Sequence, residues 1–160
     1  MLTVGANVVA VGYKALTSDT KGFGSVAIGN QALENQNFTS NTDTFNTAVG
    51  YFAGNDITTG VSNTIIGGSA GDALTDADFN TAVGKDALSA DTQGSQSTAI
   101  GTGTLGAQNF TTATNANNTA VGYFAGIGLT TGVNNTTIGA LAGDALTDAD
   151  NNTAVGRGAL

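Results

Sequence analysis

The sequence predicts an all-β fold, a parallel β-solenoid of about nine coils, each 17 or 21 long in sequence. Three observations point there. The phrase Asn-Thr-Ala-Val-Gly and its variants ends on Gly12, Gly29, Gly50, Gly67, Gly84, Gly101, Gly122, Gly139 and Gly156, at spacings of 17, 21, 17, 17, 17, 21, 17 and 17 along the chain. So short and regular a period belongs to a chain that makes one turn of backbone per repeat. Val or Ile precedes the glycine every time, and no helical apolar period is present. Proline is absent, as suits a backbone in which nearly every N–H donates to a ladder.

The chain reads as a single repeat domain, residues 1–160, with a longer period inside it. Residues 46–88 and 118–160 align at an offset of 72 without a gap, and 33 of 43 pairs are identical. A four-coil block has therefore been duplicated. Leu2-Thr3-Val4-Gly5 is already in phase with the repeat, and Leu160 stops inside a coil. Neither end reads as a cap, and the expectation is an interior piece of a longer fibre.

Within a coil the strand comes first. The glycine is preceded by Val or Ile, then mostly Ala, then Thr or Val, then mostly Asn. Side chains alternate along a strand. One face thus carries Thr and Val/Ile, the other Asn and Ala, and both are nearly free of charge. That pattern suggests burial on both sides, with the Val/Ile row filling the roll and the Ala row facing neighbouring chains. The glycine supplies a turn or a close approach that a Cβ would block.

Three positions past the glycine an Ala recurs. Then the coils divide. Some place Leu next, as at Leu16, Leu33, Leu88, Leu105 and Leu160. Others place Gly there and delay the large residue by three, as in Gly54 then Ile57, Gly71 then Leu74, Gly126 then Leu129, and Gly143 then Leu146. One large side chain per coil is reached by two routes. The remainder, rich in Asp, Thr and Gly, reads as an outward strand plus turns. Coils stacked at ~4.8 Å make a rod segment on the order of 43 Å long, with the two insertions of the longer coils ~19 Å apart on one edge.

Composition narrows the function. There is no His and no Cys, which removes the usual general base, the commonest metal ligand and any disulfide. No triad-like constellation survives, so an enzyme, for example a glycan-cleaving tailspike, is the least favoured reading. No cofactor is expected. A net charge of −8 opposes nucleic acid and anionic membranes. No segment is apolar enough for membrane insertion as a spanning helix. Disorder is the main competitor for a chain rich in Gly, Asn and Thr, but Val/Ile in register across nine coils argues against it.

The strings Ser25-Val26-Ala27-Ile28-Gly29 and Asn46-Thr47-Ala48-Val49-Gly50, with their copies, resemble the head repeats of YadA-like trimeric autotransporter adhesins. Runs such as Asn80 to Leu88 are also similar to repeats of phage tail fibres. The resemblance spans essentially the whole chain. It implies a left-handed β-roll, a side-by-side homotrimer, and a location in a virion tail fibre or on a cell surface. The coil here is longer than in the typical adhesin head.

The expected function is a structural fibre segment of a phage tail fibre or surface adhesin that projects or contributes to host attachment. Its partners are further copies of itself, end to end as well as side by side, and a host cell-surface glycan or protein. The alternatives are an ice-binding solenoid, should the Thr and Val/Ile rows be exposed, and a self-assembling filament subunit.

Candidate residues follow. Loops on a rigid scaffold often carry recognition, which selects Asn37, Phe38 and Thr39 with Asn109, Phe110 and Thr111 in the insertions, though they equally read as spacers. Both triplets also fit the N-glycosylation pattern, relevant only in a eukaryotic secretory setting. The row Asn46, Asn63, Asn80, Asn118, Asn135 and Asn152 reads as a structural ladder of stacked amides. Tyr51-Phe52 and Tyr123-Phe124 read as core or interchain packing, or as stacking platforms for sugar rings. Asp72, Asp76 and Asp78, with Asp144, Asp148 and Asp150, offer oxygen ligands for calcium, but their spacing matches no EF-hand and suits solvated turns better. Gly101-Thr102-Gly103-Thr104-Leu105-Gly106 fits a dinucleotide fingerprint, yet Gly101 is the repeat glycine and no helical segment follows.

Overall fold

A computed structural model describes residues 7–160; the Leu2–Gly5 segment lies outside the described residues. Among the described residues there is no helix, hence none long and apolar enough to cross a membrane. Nine short strands run parallel in one sheet, in chain order: Val9–Val11, Val26–Ile28, Thr47–Val49, Thr64–Ile66, Thr81–Val83, Thr98–Ile100, Thr119–Val121, Thr136–Ile138 and Thr153–Val155. The fold is a parallel β-solenoid of about nine turns.

Register follows the repeat: Ala48 lies beside Ile65, which lies beside Ala82. The ladder does not stop at the strand ends. Gly50 donates to the Ile28 carbonyl at 2.8 Å, Phe52 to Asn30 at 2.9 Å and Leu33 to Ala53 at 3.1 Å. Hydrogen bonding thus holds turns as well as strands from coil to coil, which answers the backbone's need for partners. The outward strand of the sequence reading is much reduced. It survives as two pairs, Gly22–Phe23 with Thr42–Asp43 and Gly94–Ser95 with Thr114–Asn115, both at the longer coils.

The interior reverses one expectation. In the strands the middle residue points in: Ala27, Ala48, Ile65, Ala82, Ala99 and Ala120 are 0% exposed. The Val/Ile row points out, with Ile28, Ile66, Ile100 and Ile138 at 38–41%. The division into two faces stands, but the core face is the Asn/Ala face, and the strand is buried on one side only. The reason is room. In most coils two Ala rows and one large residue fill the cross-section, and a full row of Val/Ile would overpack it; Ile65 enters where the neighbouring Gly71 leaves space, since a Cβ there would meet its Cδ1 at 3.1 Å.

That large residue is reached by both routes. Leu16, Leu33, Leu88 and Leu105 are buried, and so are Ile57, Leu74 and Leu129, with Leu146 partly so. A Cβ on Gly54 would meet Ile57 Cδ1 at 3.0 Å, and one on Gly71 would meet Leu74 Cδ1 at 2.8 Å. The delayed side chain therefore occupies the space beside the glycine that a leucine fills in the other coils. Leu33 and Leu88 hold this position in the left-handed region (φ 49° and 52°), a strain offset by burying the side chain.

Candidate functional site

Along the inner edge of the strand, the asparagines bond coil to coil. Asn46 Oδ1 accepts the Asn63 N–H at 2.9 Å, and Asn63 Oδ1 accepts the Asn80 N–H at 2.9 Å. Asn118 Oδ1 accepts from Asn135 and Asn135 Oδ1 from Asn152. Asn46, Asn63, Asn80, Asn118 and Asn135 each also donate from Nδ2 to a carbonyl further round the coil, as from Asn46 to Gly60 at 2.7 Å. Their environment is buried and fully engaged, which suits structure and leaves nothing for a ligand.

The insertions do not present all their residues to solvent. Phe38 and Phe110 turn inward, 7% and 6% exposed, so neither ring is displayed at the surface as a receptor-facing insertion would have it; burial of the apolar ring accounts for the turn inward. Asn37, Thr39, Asn109 and Thr111 are exposed. The glutamines ahead of them go inside. Gln108 Nε2 donates to Asp91 and, at 3.1 Å, to Ser97, while its Oε1 accepts from Asn118 at 2.9 Å. Asp91 Oδ1 in turn accepts the Gly94 and Phe110 N–H groups, both at 3.0 Å. Gln36, Asp19, Ser25 and Asn46 repeat this arrangement one four-coil block earlier. The insertion is thus folded around a buried polar knot that bridges the Asn ladder where Ser25 or Ser97 interrupts it.

The repeated aspartates serve turns. Asp78 accepts the Val61 N–H and Asp150 the Val133 N–H, each at 2.8 Å. Asp76 and Asp148 accept the hydroxyls of Thr75 and Thr147. Asp144 is exposed. Among the described residues no three acidic side chains converge closely enough to hold a metal ion. Gly101 to Gly106 form turn, with Thr104 buried and bonded to the Gly101 and Gly122 carbonyls.

Two surfaces stand out. The outer sheet face carries uncharged rows of Thr and Val/Ile along the whole rod, and no hydroxyl of its Thr47, Thr64, Thr81, Thr98, Thr119 or Thr136 bonds within the described protein. The second is a pocket of about 280 Å³ lined by Phe52, Asn55, Asp56, Asp72, Ala73 and Ser89. Phe52 packs against the exposed Tyr51 with ring centroids 4.4 Å apart, as Phe124 does against Tyr123 at 4.3 Å. Burial pushes the Asp72 carboxyl above its ordinary range, and the charges of Asp56 and Asp86 push the same way. Its Oδ1 is buried without a partner. Asn55, Asp56 and Ser89 carry no motif; the signal that marks the first two is that they stand among the ten differences between the blocks, against Ile127 and Gly128.

The architecture defines a parallel β-solenoid repeat protein. No protein-family model, curated protein or solved structure matches the chain.

Proposed function

We propose that this chain is a structural segment of a fibre, of the phage tail-fibre or surface-adhesin kind, in which copies pack side by side as a homotrimer and carry an attachment element. The observation behind it is the outward, uncharged and partly to fully exposed Thr and Val/Ile face that runs through every coil. Soluble monomers rarely leave so continuous an apolar strip open. Its rows recur once per coil, so the surface that matches it at every coil is the same face of an identical chain in register. The Ala row, fully inside, has no part in that contact.

Light scattering on the purified chain gives three times the chain mass, and Ile66→Asp with Ile100→Asp, both on the outer face, gives folded monomers. A monomeric mass for the folded unsubstituted chain overturns the reading.

A second reading draws on the unbonded hydroxyls of the Thr row. Regular hydroxyls and methyls on a flat face at strand spacing suit adsorption to ice. Thermal hysteresis supports that reading; its absence at millimolar protein removes it.

A further inference from the structure

We propose that the pocket between Phe52 and Asp72 binds a single neutral sugar ring. The two matching blocks supply the argument. Of the ten differing pairs between residues 46–88 and 118–160, two line this pocket, Asn55 and Asp56 against Ile127 and Gly128, and two more, Ser69 and Asp86 against Leu141 and Gly158, stand in the next turns of the stack, where the Asp86 N–H bonds the Gly68 carbonyl. Asp56, Ser69 and Asp86 all act on the Asp72 carboxyl. Phe52 and Asp72 themselves return as Phe124 and Asp144. One backbone therefore carries a polar pocket in the first block and an apolar or glycine surface in the second, and the fold requires neither.

The chemistry in the first block is that of a saccharide site. Phe52 gives an aromatic wall on which the C–H face of a pyranose packs. Asp72 and Asp56 are acceptors for ring hydroxyls. The Asp72 Oδ1 atom is buried without a donor, so part of the carboxyl's hydrogen-bonding capacity is unused inside the protein. The Asn55–Asp56 wall is held against the preceding coil, from which Asn35 donates to Asp56 at 3.1 Å and the Gln31 carbonyl accepts from Asn55 at 3.0 Å. A preformed wall lowers the ordering cost of binding. The volume, about 280 Å³, lies at the small end for ligand pockets and suits one ring. Three nearby carboxylates disfavour acidic sugars and phosphates.

The idea deepens the attachment reading and rests on it for the sugar's source on a cell surface, while the binding itself is tested on the isolated chain. Saturation-transfer NMR with the methyl glycosides of galactose, glucose, mannose and N-acetylglucosamine, each at tens of millimolar, is the probe. At least one gives transfer concentrated on one face of the ring. The variant Asn55→Ile/Asp56→Gly/Ser69→Leu/Asp86→Gly, which installs the second block's own residues, keeps the β circular dichroism and binds about tenfold or more weakly. Phe52→Ala weakens binding likewise. No transfer from any of the four, or equal transfer in the fourfold variant, overturns the proposal. A trimer that binds no glycoside removes the sugar site and leaves the fibre reading; a monomer that binds one does the reverse.

Discussion

The side-chain oxygen of Asn63 accepts the backbone N–H of Asn80, one coil further on, at 2.9 Å, and Asn63 Nδ2 donates to the Ala77 carbonyl at 2.8 Å. One amide thus pairs two buried backbone groups. Asn63→Ala leaves both unpaired, and each orphaned group costs about 1–3 kcal/mol. The expected loss is ~2–5 kcal/mol in urea denaturation, against a few tenths for Thr64→Ala on the outer face. Asn63→Ser does not restore it, because serine stands in this row only where Gln36 or Gln108 fills the space. A loss under ~0.5 kcal/mol for Asn63→Ala would show that the ladder is incidental.

Gly67 and Gly68 are neighbours with opposite tolerance. A Cβ on Gly67 lands 2.5 Å from the Gly84 carbonyl oxygen, at a φ of +137°. Neither coil can retreat, since the Gly67 N–H is bonded to Val49 and the Gly84 N–H to Ile66. Gly67→Ala is expected to cost ~3 kcal/mol or more. At Gly68 nothing lies within 4 Å, and the other block already has Ala140 there. Gly68→Ala stays within about 0.5 kcal/mol. Melting curves of the two variants, side by side, decide it.

The contrast between those glycines also marks how far the sequence can be read. The spacing of Gly12 to Gly156 is enough for the coil and its parallel stacking, because only a one-turn repeat keeps a glycine under the next glycine's carbonyl. Alternation separates Ala48 from Thr47 and Val49, but not inside from outside. Hydrophobicity ranks Val49 above Ala48, whereas the narrow interior admits the smaller. Gln36 and Gln108 stand in sequence as polar residues of an insertion; that they knot with Asp19 and Asp91 depends on a bend that no local pattern announces. The pocket at Asp72 joins residues from successive coils, and its trace in the sequence is the divergence of Asn55 and Asp56, with Ser69 and Asp86, from Ile127, Gly128, Leu141 and Gly158.

Thr137 occupies the inward position that Ile65 holds one block earlier, and its hydroxyl is buried without a partner. Thr104, also buried, has its one O–H within reach of two carbonyls, of Gly101 at 2.8 Å and Gly122 at 2.9 Å, so its donor is satisfied. Thr137→Val removes the orphan at nearly constant shape, and Thr137→Ile copies the other block. Each is expected to stabilise by about 1–2 kcal/mol. Thr104→Val, which discards a satisfied donor and takes its proton from the Gly101 and Gly122 carbonyls, should destabilise instead. A shared sign for Thr137→Val and Thr104→Val in thermal denaturation would refute the distinction.

Asp72 and Glu34 give stability opposite dependences on pH. Burial, then Asp56 and Asp86, raise the Asp72 carboxyl above its ordinary 3.8. Below 3.8 both the folded and unfolded chains hold the proton and the group is neutral in effect. As pH climbs through the raised value the folded state must ionise in an unfavourable place, and stability falls. Glu34 is lowered from its ordinary 4.5, first by its hydrogen bond from Lys14. Its contribution is present above 4.5 and is lost as pH falls through the lowered value. The two overlap near pH 4, so the wild-type curve alone does not separate them. Asp72→Asn does. Its melting temperature matches wild type at low pH, rises above it as pH passes through the raised value and keeps that lead to neutrality, while Glu34→Gln falls below wild type at neutrality and converges with it in acid. A pH-independent offset for Asp72→Asn would mean that the substitution changes packing and not charge.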